Sequence, residues 1–256
     1  MGSKLVSLAR NLRQRKGRSR RGLTLAEGVR LVEEAIVAGV AIRGVLVDEF
    51  LASTPHGGGL LRQLAAHAIP VEQISSQTLA GLAATESPQG VVAVIEQPRS
   101  DLSAIAPVAW HPALVLDAVQ DPGNVGTLLR TAFALGCPGA VLLKGTADPA
   151  NPKALRAAAG ASFRLPLATA SDEQLAGWLK RNDIVLWVSD AAGTPIRRLE
   201  APPRLAVVVG NEGAGVRPVL AALSQERVAV PLARGAESLN VAVAAGIILN
   251  EVQSER

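Results

Sequence analysis

Three short stretches of this chain carry residue types able to hold or move charge. The first is Asp117-Ala-Val-Gln-Asp-Pro-Gly-Asn124-Val-Gly-Thr-Leu-Leu-Arg130, where an apolar run ends in polar turn residues ahead of a helical pattern. On a helix Arg130 falls almost two turns beyond Asn124, so an amide and a guanidinium belong to one loop and its helix. The second, Gly210-Asn-Glu212-Gly213-Ala-Gly215, spaces three glycines around a carboxylate; glycine lets backbone groups come close to a ligand. The third, Val230-Pro-Leu232-Ala-Arg-Gly-Ala-Glu-Ser238-Leu239-Asn240, runs into the last helical pattern. Taken singly, each stretch is served as well by turn and cap roles, since Pro-Gly makes turns and Asn and Ser cap helices. The glycine order reverses the dinucleotide fingerprint and lacks the Gly-Lys-Ser/Thr of a phosphate loop, so neither nucleotide motif applies.

The elements that must position these stretches alternate in kind. Apolar runs at 113–116, 140–143, 184–188, 205–209 and 228–230 read as strands buried on both faces, which belong to a parallel sheet. Helical patterns fall near 125–135, 152–159, 172–181 and 240–251, the third with Ser171 and Gln174 as its capping pair. The expectation is a doubly wound α/β domain over 113–256, with ligands at the carboxyl ends of its strands, where all three stretches lie. Before it, Thr24 and Glu27 form a capping-box pattern, and Leu25, Val29, Val32, Ile36 and Val37 recur near the helical period as far as Gly39. A strand at 45–47, helices near 60–68 and 78–84 and a strand at 91–95 complete a small α/β unit over 23–97. Residues 98–112, with Pro98, Pro107 and Pro112, read as a linker.

A length of 256 residues suits two domains, and 48% hydrophobic residues supply their cores. Cys137 is the sole cysteine and there are three scattered histidines, so neither an internal disulfide nor a metal cluster is expected. No apolar run is long enough for a membrane span and no apolar segment follows the basic N-terminus, so a cytoplasmic location is expected. Residues 1–21 hold eight Lys and Arg and no acid; the remaining 18 basic residues face all 22 acidic ones, a net of −4. The positive charge thus belongs to a basic arm over 1–22, where Arg15, Lys16, Arg18, Arg20 and Arg21 are candidate contacts to a polyanion such as RNA. A merely solvated tail is the competing reading. Aromatic residues are only 2% of the chain, which disfavours a platform that grips single strands by stacking successive bases.

Together and in order, the three stretches resemble the signature motifs of the SpoU-type (TrmH-like) branch of the SPOUT methyltransferase superfamily. The likeness covers the second domain; less sharply, residues 23–35 and Thr85-Glu-Ser-Pro-Gln-Gly90 are similar to the L30e-like substrate-binding domain found in that family. The resemblance implies a trefoil-knotted catalytic domain, although general topology rules would draw an unknotted sheet. It implies S-adenosylmethionine as cofactor, held at Gly210, Val230, Leu232, Leu239 and Asn240. It also implies a homodimer without metal, and methyl transfer to an RNA ribose 2′-hydroxyl with Asn124, Arg130, Glu212, Ser238 and Asn240 as the catalytic set. Ala242 stands where many relatives carry serine. A guanidinium keeps its proton under ordinary conditions, so Arg130 reads as orienting the ribose and a phosphate rather than as a base. The N-terminal domain type favours large-subunit ribosomal RNA over tRNA. A SpoU-like RNA-binding protein without transferase activity is a further alternative. A conventional Rossmann-type methyltransferase would carry its glycine loop after the first strand, whereas here it follows 205–209.

Overall fold

The computed structural model describes residues 3–85, 87–236 and 238–254; Glu86 and Glu237, which fall within the stretches quoted above, lie outside them. The chain forms two compact units, Met1–Pro98 with Asp148–Phe163, and Arg99–Ala147 with Arg164–Arg256.

The first unit opens with helices α1 (Lys4–Leu12) and α2 (Arg15–Arg21), followed by β1 (Leu23–Glu27), α3 (Val29–Val37) and β2 (Ile42–Val47). Then come α4 (Pro55–Ala66), β3 (Val71–Gln73), α5 (Ser76–Ala80) and β4 (Val91–Glu96). Its sheet has the order β1-β4-β2-β3, with only the β2/β3 pair parallel.

The expected basic arm is a folded helical hairpin. Val6, Ala9 and Leu12 face a core with Leu25, Leu46, Leu79 and Val92. Ser3 caps α1 through Val6 N–H, and Gly22 closes α2 in the left-handed conformation. Arg18 is 3% exposed: its Nε and Nη2 donate to Asp148 at 2.9 and 2.7 Å and its Nη1 to the Leu12 and Arg13 carbonyls. Arg18 therefore cannot be the RNA contact expected of it, whereas Arg15, Lys16, Arg20 and Arg21 are exposed. Apolar periodicity in 4–12 was the available signal, masked by the surrounding charge.

The helix expected from Thr24 is instead β1. Its hydroxyl donates to the Ala150 carbonyl, and the buried Glu27 carboxylate accepts the Ala84 and Thr85 N–H groups and pairs with Arg156 at 2.9 Å. Both capping-box side chains have tertiary partners, and a buried carboxylate needs such partners more than a helix needs its cap. Helix α3 starts only after Gly28, whose φ of 97° is open to glycine and turns the chain out of the strand.

The second unit runs through β5 (Ala113–Leu116), α6 (Pro122–Ala134) and β6 (Ala140–Leu142). The chain then returns to the first unit with α7 (Pro152–Ala158), whose Leu155 lies in that unit's core. It re-enters the second with β7 (Leu167–Thr169), α8 (Asp172–Asn182), β8 (Val185–Pro195), β9 (Leu205–Val209), α9 (Pro218–Ala221), β10 (Glu226–Ala229) and α10 (Val241–Ser254). These six strands form a wholly parallel sheet in the order β10-β8-β9-β5-β6-β7. Residues 99–112 are no free linker: Ile105 is buried against Val141 and Ala168, and Ser100 bridges to Ala168. Strand β9 inserts between β8 and β5, so the loops leaving β5 and β9, far apart in sequence, emerge side by side at the sheet's carboxyl edge.

Candidate active site

Asp117 ends β5 with no exposed surface, and Arg217, beyond the glycine loop of β9, answers it. Arg217 donates through Nε to one Asp117 oxygen at 2.6 Å and through its backbone N–H to the other at 2.8 Å. Its two terminal nitrogens reach Asp172 at the start of α8 at 3.0 and 2.7 Å. These bonds, Asp172's foremost, hold the guanidinium charged against the cost of its burial. The clamp fixes the far end of the glycine loop. Its near end is fixed by Asn211, which accepts the Gly213 and Ala214 N–H groups and donates to the Ala118 carbonyl at 3.0 Å. Neither Asn211 nor the clamp was anticipated; a charged residue closing an apolar strand was the one cue to it.

Within this frame three of the expected catalytic residues form one chain of hydrogen bonds. Glu212 accepts Asn124 Nδ2 at 2.9 Å and the N–H groups of Gln120 and Asp121 at 3.2 and 3.3 Å. Asn124 Oδ1 accepts Asn240 Nδ2 at 3.0 Å. Partial burial pushes the Glu212 carboxyl upward, but the donors from Asn124 and the backbone outweigh it, so its pKa lies below the ordinary carboxylate value and it stays ionised at neutral pH. Asp121 caps α6 through Asn124 N–H, and Asn240 caps α10 through Ala242 N–H at 2.9 Å. Asn240 thus caps a helix and joins the chain of hydrogen bonds, whereas Asn124, read from the sequence as a possible cap, lies inside α6 and leaves the capping to Asp121. Arg130 stands apart: it is exposed on α6, with no ion-pair or hydrogen-bond partner among the described residues. Glu212 accepts from Gln120, Asp121 and Asn124 instead. Ser238 is exposed at the cavity described next.

A cavity of about 360 Å³ opens beside this chain of bonds. Gly210, Val230, Leu232, Leu239 and Asn240, the five positions expected to hold the cofactor, all line it, with Glu212 and Ser238. Ser189, Asp190 and Ala191, midway along β8, also line it, and no sequence motif pointed to them. At Gly210 an added Cβ would lie 2.2 Å from the Gly215 carbonyl carbon, so two backbone segments touch where only glycine fits. Apolar Val230, Leu232 and Leu239 against exposed backbone and Asn, Ser and Asp groups suit a ligand with a flat apolar ring and polar edges. Cys137 lies elsewhere, its thiol pushed up to about 12 by burial and so unsuited to nucleophilic work.

Residues 111–250, which contain all three loops, match the SpoU rRNA Methylase family model. The chain belongs to the SpoU rRNA methylase family. Residues 4–93 of this SpoU chain match the MRM3-like substrate binding domain, hairpin included. It is 35% identical over 94% of its length, and 92% of the relative's, to the 23S rRNA (guanosine(2553)-2'-O)-methyltransferase RlmP of Bacillus subtilis. Among solved structures it resembles the AdoMet complex of the SpoU methyltransferase AviRb from Streptomyces viridochromogenes, with a TM-score of 0.87 at 30% identity over 98% of this chain and 97% of that one. The AdoMet-bound rRNA methyltransferase of Sinorhizobium meliloti matches with a TM-score of 0.86 at 30% identity, covering 98% and 94%. Among the described residues no cluster of His, Cys, Asp and Glu could hold a metal, and no helix is long and apolar enough to cross a membrane.

Proposed function

We propose that this SpoU protein transfers a methyl group from S-adenosylmethionine to a ribose 2′-hydroxyl of large-subunit ribosomal RNA, in the cytoplasm, from a knotted catalytic domain. One observation carries the reading: the cavity lined by all five expected cofactor positions abuts the Asn240–Asn124–Glu212 chain. The relatives named for ribosomal RNA favour that substrate over tRNA. When bound, S-adenosylmethionine supplies an electrophilic methyl group, and alignment is then the protein's main task, worth about 7 to 11 kcal/mol in well-oriented reactions. Glu212 and Asn240 hold Asn124 from either side, and so set the start of α6 beside the cavity. Almost two turns beyond Asn124, Arg130 has its guanidinium free to take the ribose oxygen and the adjacent phosphate. Ser238 and Asn240 shape the polar wall. The reaction is tested by incubating purified protein with unmodified 23S ribosomal RNA, tRNA and methyl-labelled cofactor. A label that enters ribosomal RNA alone and makes one dinucleotide resist alkaline cleavage is expected, because 2′-O-methylation removes the internal nucleophile. Label on a base, or none, contradicts the reading.

The active unit in this reading is a homodimer. Helix α10 buries Ala242, Ala245, Ile248 and Leu249 within its own unit but leaves Val243 51% exposed. Val243, Gly246 and Ile247 face a cavity of about 780 Å³ shared with Thr127 and Thr131 of α6. A helix apolar on two sides calls for a second covering. Light scattering should report twice the 26.4 kDa chain mass at micromolar concentration, and Val243→Glu should halve it; a fully active monomer contradicts the dimer.

The exposed cations of the hairpin attract the RNA backbone in this account. Deleting α1 and α2 would uncover Leu12 and Val6 and their core partners, so charge is better removed in place. Replacing Arg15, Lys16, Arg20 and Arg21 together by Gln should flatten the slope of log affinity against log salt by about 0.7 to 0.9 for each phosphate no longer neutralised. An unchanged slope would assign RNA attraction elsewhere.

A further inference from the structure

The first unit contains a cavity that the reaction does not use. It measures about 870 Å³, within the span of about 300 to 1,000 Å³ typical of ligand pockets. Phe50, Arg30, His56, Ser76 and Gln89 are among the side chains around it. Phe50 is 63% exposed, in a chain with only three Phe, three Trp and no Tyr, and nothing in the folding of the unit requires an aromatic ring in water. Its backbone is held firmly all the same. Asp48 accepts the Phe50 and Leu51 N–H groups at 3.0 and 2.9 Å through one oxygen and the Ser76 hydroxyl at 3.3 Å through the other. Gln89 Oε1 accepts Val29 N–H at 3.2 Å, fixing the start of α3 beside Arg30 and leaving the Gln89 amide nitrogen as a donor. Arg30 and His56 are exposed, with no hydrogen-bond or ion-pair partner among the described residues. An anchored, exposed ring beside an unpaired guanidinium and an amide donor suits one occupant: a flat heterocycle attached to a phosphate.

We propose that this cavity seats a single nucleotide turned out of the RNA substrate, its base stacked on Phe50 and its phosphate facing Arg30. The assignment rests on the reading of the protein as an RNA methyltransferase and gives its first unit a specific task, the recognition of an unpaired nucleotide that sets which RNA segment is presented for methylation. One ring makes a seat for one base, in keeping with a chain too poor in aromatics to line a single-strand platform.

The experiment uses the full chain and 23S ribosomal RNA transcribed in vitro, with equilibrium binding measured at several salt concentrations. Phe50→Ala should weaken binding about 5- to 160-fold, the range for loss of one stacked base. Phe50→Trp should restore affinity, and Phe50→Leu, equally apolar but without a ring face, should not. Arg30→Gln should reduce the salt slope by about 0.7. S-adenosylmethionine affinity and the unfolding midpoint should be unchanged in all four variants. Wild-type affinity in Phe50→Ala or Phe50→Leu, or an unaltered slope in Arg30→Gln, overturns the nucleotide seat while leaving the methyltransferase reading intact. Failure of the wild-type protein to bind ribosomal RNA at all overturns both.

Discussion

Gly210→Ala should lower S-adenosylmethionine affinity at least about 100-fold. The new methyl carbon would stand 2.2 Å from the Gly215 carbonyl carbon and 2.3 Å from the Val216 nitrogen, both backbone atoms that cannot swing aside as a side chain would. The glycine loop would have to move, and overpacking of this kind costs about 1 to 3 kcal/mol even where neighbours can adjust. Here its two ends are pinned by the Asp117–Arg217 clamp and by Asn211, so the distortion falls on the cavity wall. Gly213→Ala is the matched control, because its added carbon meets only Asn211 Oδ1 at 3.7 Å, an ordinary van der Waals distance. Calorimetric titration of both variants decides the matter. Equal affinity in Gly210→Ala and wild type would remove this cavity as the cofactor site.

Arg130→Ala should reduce methyl transfer by about 100- to 1,000-fold, the usual cost of removing one charge-stabilising group from an active site. Its unfolding midpoint should stay put, since the side chain is exposed and holds nothing in the fold. Asn124→Ala should also lose turnover, by a different route: Glu212 and Asn240 each lose the partner that links the three loops. The two variants should separate in their salt response. If Arg130 meets a phosphate as proposed, Arg130→Ala gives up part of the salt slope of RNA binding, whereas Asn124→Ala keeps it. Single-turnover assays with saturating cofactor give the rates. Full activity in Arg130→Ala would leave Asn124 and Glu212 as positioning groups for some other residue.

The parallel sheet was legible because strands buried on both faces must be apolar throughout, and β5, β6, β8, β9 and β10 all lie close to the runs that announced them. The cavity lining was legible in its glycine and cap residues: Gly210 sits where only glycine fits, and Asn240 caps α10 while lining the cavity, whereas the cap of α6 is Asp121 and Asn124 lies within that helix. Tertiary partners decided the misreadings. Thr24 and Glu27 carry a helix-start pattern that only Ala150 and Arg156, more than 120 positions away, turn into strand residues. Arg18 reads as one more cation of a tail until Asp148 takes it. Asp148–Phe163 joins the first unit through such partners, which no local pattern announces. The part of Ser189–Ala191 in the cavity wall follows from strand order, since these residues continue β8 just past its pairing with β9, which ends at Val188.

The most direct test is a map, by mass spectrometry, of 2′-O-methylated nucleotides in ribosomal RNA and tRNA from cells with and without this protein. The account predicts that one large-subunit nucleotide loses its 2′-O-methyl group when the gene is deleted, regains it with the wild-type chain and does not regain it with Arg130→Ala. Identical maps in both cells, or a lost methyl group on a base or in tRNA, would contradict it.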